Sequence, residues 1–259
     1  MRYCVFPGGK RFRPLLCLGG CEAVGGDIRQ ALSAAAAIEL IHTYSLVHDD
    51  LPAMDNATQR RGRPSCHKRF GEATAILVGD ALLTRAFELL SANGVPNTLE
   101  ILRTLGTASG TTGLIGGQML DLSVSELASW RVGGLKAEQA NPQTRKPANA
   151  QTNESLLQEI AKRKTAALIT ASVVAGGWAG RGSQAAIGRL RQFGQRLGLA
   201  FQLQDDLHDG DGLVAAIGTP AVRQRFGRLL DQAKRHLEPF GTRAATLGTL
   251  TEWLRRVAA

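Results

Sequence analysis

Residues 41–62 read "IHTYSLVHDDLPAMDNATQRRG". A run of apolar, helix-forming residues ends in Asp49 and Asp50, crosses Pro52, reaches Asp55 and then offers Arg60 and Arg61. Carboxylates repel one another, so three held together cost free energy unless a cation sits among them. Six residues of regular helix would turn Asp55 far from Asp49. The Leu51-Pro52-Ala53-Met54 interruption lets the backbone relax so that the two converge. His42 lies two turns before Asp49 and shares its stripe.

The same chemistry recurs at 201–209, "FQLQDDLHD". Asp205, Asp206 and Asp209 again end an apolar helix. Asp205 and Asp209 are one turn apart and project from one face, and Gln202 is read onto that face as well. Two acidic helix ends directed at one cavity repel strongly unless divalent cations sit between them. Mg²⁺ takes oxygen ligands and commonly bridges a few carboxylates to substrate phosphates. Nearby cations then read as phosphate ligands: Arg60 and Arg61, Lys10 and Arg13 within "GGKRFRP" (8–14), and Lys164 beside Thr165 within "KRKTAALI". Together these describe a site for an apolar molecule bearing a diphosphate.

Composition supports helices around such a site. The 259-residue chain is 44% hydrophobic but only 5% aromatic, which suits closely packed helices better than sheet. Helical periodicity predicts an all-α bundle around a central apolar cavity, with helices near 29–50, 71–92, 97–128, 153–177, 185–208, 221–237 and 243–257. A single domain is expected over 1–259. The polar stretch 133–153, with two prolines, reads as an exposed loop or insertion. The formal charge of +9 suits anionic partners. Nucleic acid is not expected, because the arginines are scattered and aromatics are few. No zinc spacing or disulfide framework is visible among the four cysteines, and reduced thiols in a cytoplasmic protein are expected. Residues 1–20 do not read as a signal peptide, and "AALITASVVAGGWAG" is too short for a membrane span.

At this point the sequence resembles the trans-isoprenyl diphosphate synthases, of the bacterial farnesyl diphosphate synthase type. "DDLPAMD" with "RRG" is similar to that family's first Asp-rich motif, and "FQLQDDLHD" to its second. "GGKRFRP", "CHKRFGEATAILVGDALL", "GGQMLDL" and "KTAALI" resemble further family segments in the same order. The resemblance implies the all-α isoprenoid-synthase fold and a homodimer. It implies Mg²⁺ held by Asp49, Asp55 and Asp205, with Asp50 and Asp209 supporting. It further implies Arg60, Lys164, Thr165 and Gln202 on an allylic diphosphate, and Lys10, Arg13, His42 and Arg61 on isopentenyl diphosphate. Asp49, Asp50, Asp55, Asp205 and Lys164 form the implied catalytic set. Tyr44, with Ser45 beside it, marks the chain-length position, where an aromatic floors the tail pocket and favours farnesyl over geranylgeranyl products.

Two departures from the family pattern carry expectations of their own. The chain opens almost at "GGKRFRP", so one or two N-terminal helices of the family are expected to be missing. The stretch after the second motif, "GDGLVAAIGTPAVRQRFG", holds no lysine where the family carries lid lysines, with Arg223 or Arg225 as candidate substitutes. A non-catalytic relative is therefore the main rival to an active synthase. A terpene cyclase is a weaker rival, since it seldom needs a separate set such as Lys10, Arg13 and His42.

Overall fold

Thirteen α-helices are present in the computed structural model, which describes residues 1–6, 8–92, 94–131 and 150–258. In order they are α1 (Arg2–Val5), α2 (Phe12–Ala23), α3 (Leu32–Asp49), α4 (Cys66–Phe70), α5 (Glu72–Ala92), α6 (Thr98–Ser109) and α7 (Leu114–Arg131). There follow α8 (Ala150–Ile160), α9 (Ala167–Ala179), α10 (Gln184–Asp209), α11 (Gly212–Ile217), α12 (Thr219–Leu237) and α13 (Ala245–Val257). Among the described residues the sheet is one two-residue pair, β1 (Gln59–Arg60) against β2 (Arg63–Pro64), with Arg60 opposite Arg63. The stretch expected as an insertion, 133–153, lies for the most part outside the described residues, and α8 is already under way at Ala150.

Helix α9 organises the packing. Its Leu168, Ala171, Val174 and Ala175 join one apolar cluster with α3, α5 and α6. Its Ile169 and Val173 join another with α2, α10, α12 and α13. A helix apolar all round can only be a central one, and this is why "AALITASVVAGGWAG" looked almost membrane-like. No helix among the described residues is long and apolar enough to cross a membrane.

Helix α2 was not expected, because Pro14 and the Gly19-Gly20 pair look like breakers. Pro14 sits in the first turn, where its missing N–H costs nothing. The glycines let two backbones approach: a Cβ on Gly20 would lie 2.2 Å from the Val173 carbonyl, and one on Gly176 would lie 1.8 Å from the Cys17 carbonyl. Elsewhere the expected helices stand with two breaks. The 97–128 helix divides at Gly110–Gly113 into α6 and α7. The 153–177 helix contains a π-helical turn, Ala161–Ala166, between α8 and α9.

Candidate active site

The carboxyl end of α3 separates its two aspartates. Adjacent helical residues diverge by about 100°. Asp50 is 2% exposed and turned onto the hairpin, where Arg60 Nε donates to Oδ1 and Oδ2 at 3.0 and 3.3 Å and an Nη donates at 2.5 Å. Asp50, expected among the metal ligands, is thus a buried partner of the hairpin. Arg60 is correspondingly engaged by Asp50 through Nε and one Nη, with its side chain 39% exposed. Asp49 has no side-chain hydrogen-bond partner among the described residues. The turn through Pro52 brings Asp55 back to it, with Asp55 N donating to the Asp49 carbonyl at 2.9 Å. Burial pushes the Asp49 carboxyl up to about 6, Lys164 opposes this, and Asp55 adds to it.

The end of α10 repeats the division. Asp206 is 5% exposed and fixed by Gln202 Nε2 at 2.9 Å and by the Leu213 backbone N–H at 3.0 Å. Gly212, at φ +52°, makes that last contact possible, since a Cβ there would lie 2.7 Å from the Asp206 carboxyl carbon. Gln202 therefore serves Asp206, one full turn on, and not Asp205 as its spacing suggested. Asp205 has no hydrogen-bond partner, and its carboxyl is pushed up to about 6 by burial and then by Asp209, against the pull of Arg13 and Lys10. Asp55 and Asp209 are both solvent-exposed.

The π turn connects the two ends. Inserting one residue into a helix rotates the side chains that follow, and such bulges are frequent at functional sites. Lys164 Nζ donates to Asp121 at 2.6 Å while its charge acts on Asp49. The adjacent Thr165 hydroxyl donates to Gln202 Oε1 at 2.6 Å. Asp121, on α7, was not singled out, although it lies within the quoted segment "GGQMLDL". Gln118 Oε1 in the same segment is buried without a partner. Helix α7 comes this close because a Cβ on Gly117 would lie 2.4 Å from the Lys164 nitrogen.

A cationic cluster faces α3 from α2 and the hairpin. Arg11 and Arg61 both pair with buried Glu39, Arg61 at 3.7 Å. Arg13 Nη1 lies 3.4 Å from His42 Nε2, and its Nε has no partner. Burial lowers the Arg13 guanidinium to about 10, still protonated at neutral pH, with Glu39 and Asp205 acting against the shift. Burial, with Arg13, Arg61, Arg60 and Arg11 nearby, holds His42 well below the usual imidazole range, so it is neutral. Three guanidinium groups and a neutral imidazole around one carboxylate leave a surplus of positive charge. Glu39, which gathers this cluster, was invisible in a run of alanines and leucines. The glycine pair at 8–9 lies against Arg61, a Cβ on Gly9 falling 2.9 Å from Cζ, so it is a contact surface more than a spacer. Lys10 Nζ sits 5.0 Å from the centre of the Trp253 ring, on α13.

Tyr44 is 6% exposed, its ring packs edge-on against His48 at 5.9 Å, and its hydroxyl has no partner. Burial, with Asp49 nearby, pushes that phenol up to about 12. Ser45 turns its hydroxyl back to the His42 carbonyl at 2.9 Å. Both arginines after the second motif are engaged: Arg223 donates to the Ala258 carbonyl at 3.1 Å and Arg225 to Glu154 at 2.9 Å.

Among the described residues, no three His, Cys, Asp or Glu side chains converge as a ready-made metal cage. The donors instead suit Mg²⁺, which binds through one or two carboxylates plus phosphate oxygens. Asp49 and Asp205 each offer hard oxygens that no protein group satisfies, beside a second carboxylate. The residues present therefore fit the ion.

Comparison with known proteins agrees with this geometry. The polyprenyl synthetase family model matches residues 1–223. Geranylgeranyl pyrophosphate synthase 9, chloroplastic, of Arabidopsis thaliana is 44% identical over 214 residues, 81% of this chain and 54% of the relative. The heterodimeric geranylgeranyl pyrophosphate synthase large subunit 1, chloroplastic, of the same plant is 45% identical over 215 residues, 81% of this chain and 53% of the relative. The chain thus spans about half the length of these curated relatives. The crystal structure of an FPP/GFPP synthase from Zymomonas mobilis superimposes with a TM-score of 0.83 at 36% identity, covering 100% of this chain and 86% of that one. With both Asp-rich ends in place on this helical frame, the chain belongs to the polyprenyl synthetase family and has the all-α isoprenoid-synthase fold.

Proposed function

We propose that this chain, as one isoprenoid-synthase domain, is a prenyltransferase that joins isopentenyl diphosphate to dimethylallyl and geranyl diphosphates, giving farnesyl diphosphate and releasing diphosphate. The observation that carries the reading is the pair of carboxylates, Asp49 and Asp205, that have no hydrogen-bond partner among the described residues, set beside a separate surplus of guanidinium charge.

Asp49, Asp55, Asp205 and Asp209 would hold Mg²⁺, which when bound supplies charge neutralisation of the diphosphate leaving group. Lys164, aimed by Asp121, stabilises negative charge as it grows on the departing oxygen. The allylic C–O bond ionises, and apolar helix faces keep water from the cation. Lys10, Arg13, Arg61 and neutral His42 hold isopentenyl diphosphate so that its double bond attacks the cation. The released diphosphate takes the proton lost afterwards. Asp50 and Asp206 act by holding the backbone beside these groups.

Tyr44, buried five residues before Asp49, supports the shorter product. The names of the two plant relatives favour geranylgeranyl diphosphate as the alternative. A homodimer is proposed from the family resemblance, although one relative is named as part of a heterodimer. The deciding experiment incubates the protein with Mg²⁺, isopentenyl diphosphate and geranyl diphosphate and separates products by length. A farnesyl product that disappears with Asp49→Ala and lengthens with Tyr44→Ala supports the whole reading. A geranylgeranyl product from the unaltered chain removes the Tyr44 floor. Diphosphate binding without product, in either oligomeric state, leaves a non-catalytic subunit.

A further inference from the structure

Two thiols far apart in sequence meet beneath the hairpin. Cys4 on α1 and Cys66 at the start of α4 line one small cavity of about 40 Å³, together with Thr43, Asp50, Arg60 and Arg61. The two side chains face this cavity together, and each acts on the other's titration. Cys66 is 4% exposed, whereas Cys4 is only half-buried. The rest of the contact between α1 and its neighbours is non-covalent: Tyr3 OH donates to the Pro64 carbonyl at 2.8 Å, its ring meets Phe70 edge-on at 5.0 Å, and Arg63 lies 4.2 Å above it. Arg61 Nη1 donates to the Cys4 carbonyl at 3.4 Å.

We propose that Cys4 and Cys66 form a dithiol modification site, which small disulfides such as oxidised glutathione convert to an intramolecular disulfide. The two thiols differ in the way such a reaction requires. Cys4 is held down to about 7, chiefly by the Cys66 side chain, so its thiolate is present at neutral pH on the accessible side. That same pairing, with burial, pushes the Cys66 thiol up, which keeps its proton in place until it is needed. The Cys4 thiolate attacks one sulfur of oxidised glutathione; a Cys4–glutathione disulfide forms and one glutathione thiolate leaves. Cys66 then attacks Cys4 Sγ, forming the Cys4–Cys66 bond and expelling the second glutathione as a thiolate that takes up the Cys66 proton. Two protein thiols are oxidised and one glutathione disulfide is reduced, with nothing left over. The product ties α1 to α4 across the base of the hairpin that carries Arg60 and Arg61. Cys17 and Cys21 do not compete: Cys17 is fully buried, and burial raises both thiols, Cys21 to about 11.

The test uses the whole protein, incubated with oxidised glutathione under native conditions, acid-quenched, alkylated and mapped by peptide mass. The expected product is a peptide pair linked through Cys4 and Cys66, lighter than the free pair by two hydrogen atoms and undone by dithiothreitol. Cys17 and Cys21 stay alkylated throughout. Cys66→Ser is expected to stop at the Cys4–glutathione adduct and accumulate about tenfold more of it than the unaltered chain. Cys4→Ser is expected to leave Cys66 unmodified, and it decides the question if Cys66→Ser does not fold. A Cys4 adduct that persists in the unaltered chain would overturn the proposal. So would first reaction at Cys17 or Cys21, or a time course showing no modification before the protein unfolds.

Discussion

The two acidic helix ends solve one problem with different chemistry. In each, the first aspartate of the doublet has no hydrogen-bond partner and is pushed up to about 6, while the second is buried and bound. At the end of α3 the second carboxylate is held by a guanidinium reached through a hairpin. At the end of α10 it is held by a neutral amide and a backbone N–H, both local. The doublet thus divides in two: one carboxylate has no hydrogen-bond partner among the described residues and its neighbour fixes the chain. The difference lies in what loss of the neighbour leaves behind. Without Asp50 a half-buried cation remains, whereas without Asp206 only neutral groups go unpaired.

The sharpest way to test the division is through the first members. Asp49→Ala and Asp205→Ala are each expected to lower prenyl transfer by about 10³-fold or more, because each removes charge stabilisation at the leaving group. Their circular dichroism is expected to stay native and their melting no lower than that of the unaltered chain. Should either variant unfold instead, that carboxylate is part of the frame and the comparison collapses. Asp50→Ala comes next, on stability. Breaking a buried pair by removing one partner costs about 3–5 kcal/mol, and the exposure of Arg60, 39% for its side chain, brings the expectation to about 2–3 kcal/mol. Denaturant titration reads it directly, and a double change with Arg60→Met is expected to recover part of the loss.

The division itself was not legible in the sequence, although the ends were. Apolar periodicity over α3 and α10, each running into aspartates, placed both acidic clusters and the helical fold. Spacing, however, assigns a residue to a face and not to a partner. Gln202 lies about as close in helical angle to Asp205 as to Asp206, and only the fold chooses Asp206. Asp50 looked like a ligand because the hairpin that brings Arg60 to it depends on positive φ at Arg61 and Gly62, a turn no hydrophobic pattern reveals. Helix α2 was lost behind glycines that serve helix contact, not chain flexibility. The π turn has no residue signature at all: Ala161–Ala166 scans as ordinary helix, yet it aims Lys164 and Thr165 at different partners.

Asp206→Ala supplies the other side of the comparison. Its loss leaves the buried Leu213 N–H and the Gln202 amide unpaired, about 1–2 kcal/mol by denaturant titration. Asp206→Asn is expected to recover most of it. A loss larger than that of Asp50→Ala would mean that charge is not what distinguishes the two ends.

The last expected effect, no larger than that of Asp206→Ala, concerns metal-free protein and has the opposite sign. Asp49 and Asp205 have carboxyls raised from 3.8 to about 6 on folding, first by burial and then by neighbouring charges. Between those values the folded protein binds protons that the unfolded chain has released. Stability therefore falls as pH rises through that window, and the deficit is complete above about 6. Asp49→Asn removes the buried charge and is expected to stabilise the metal-free chain at pH 7 by about 1–2 kcal/mol after solvent screening. The gain should fade as pH falls toward 4, where the native carboxyl is itself neutral. Melting of both proteins across that range, with a chelator present, gives the difference. A gain independent of pH would show that the substitution acts through packing, and that the free carboxylate at the end of α3 carries no electrostatic strain for a ligand to relieve.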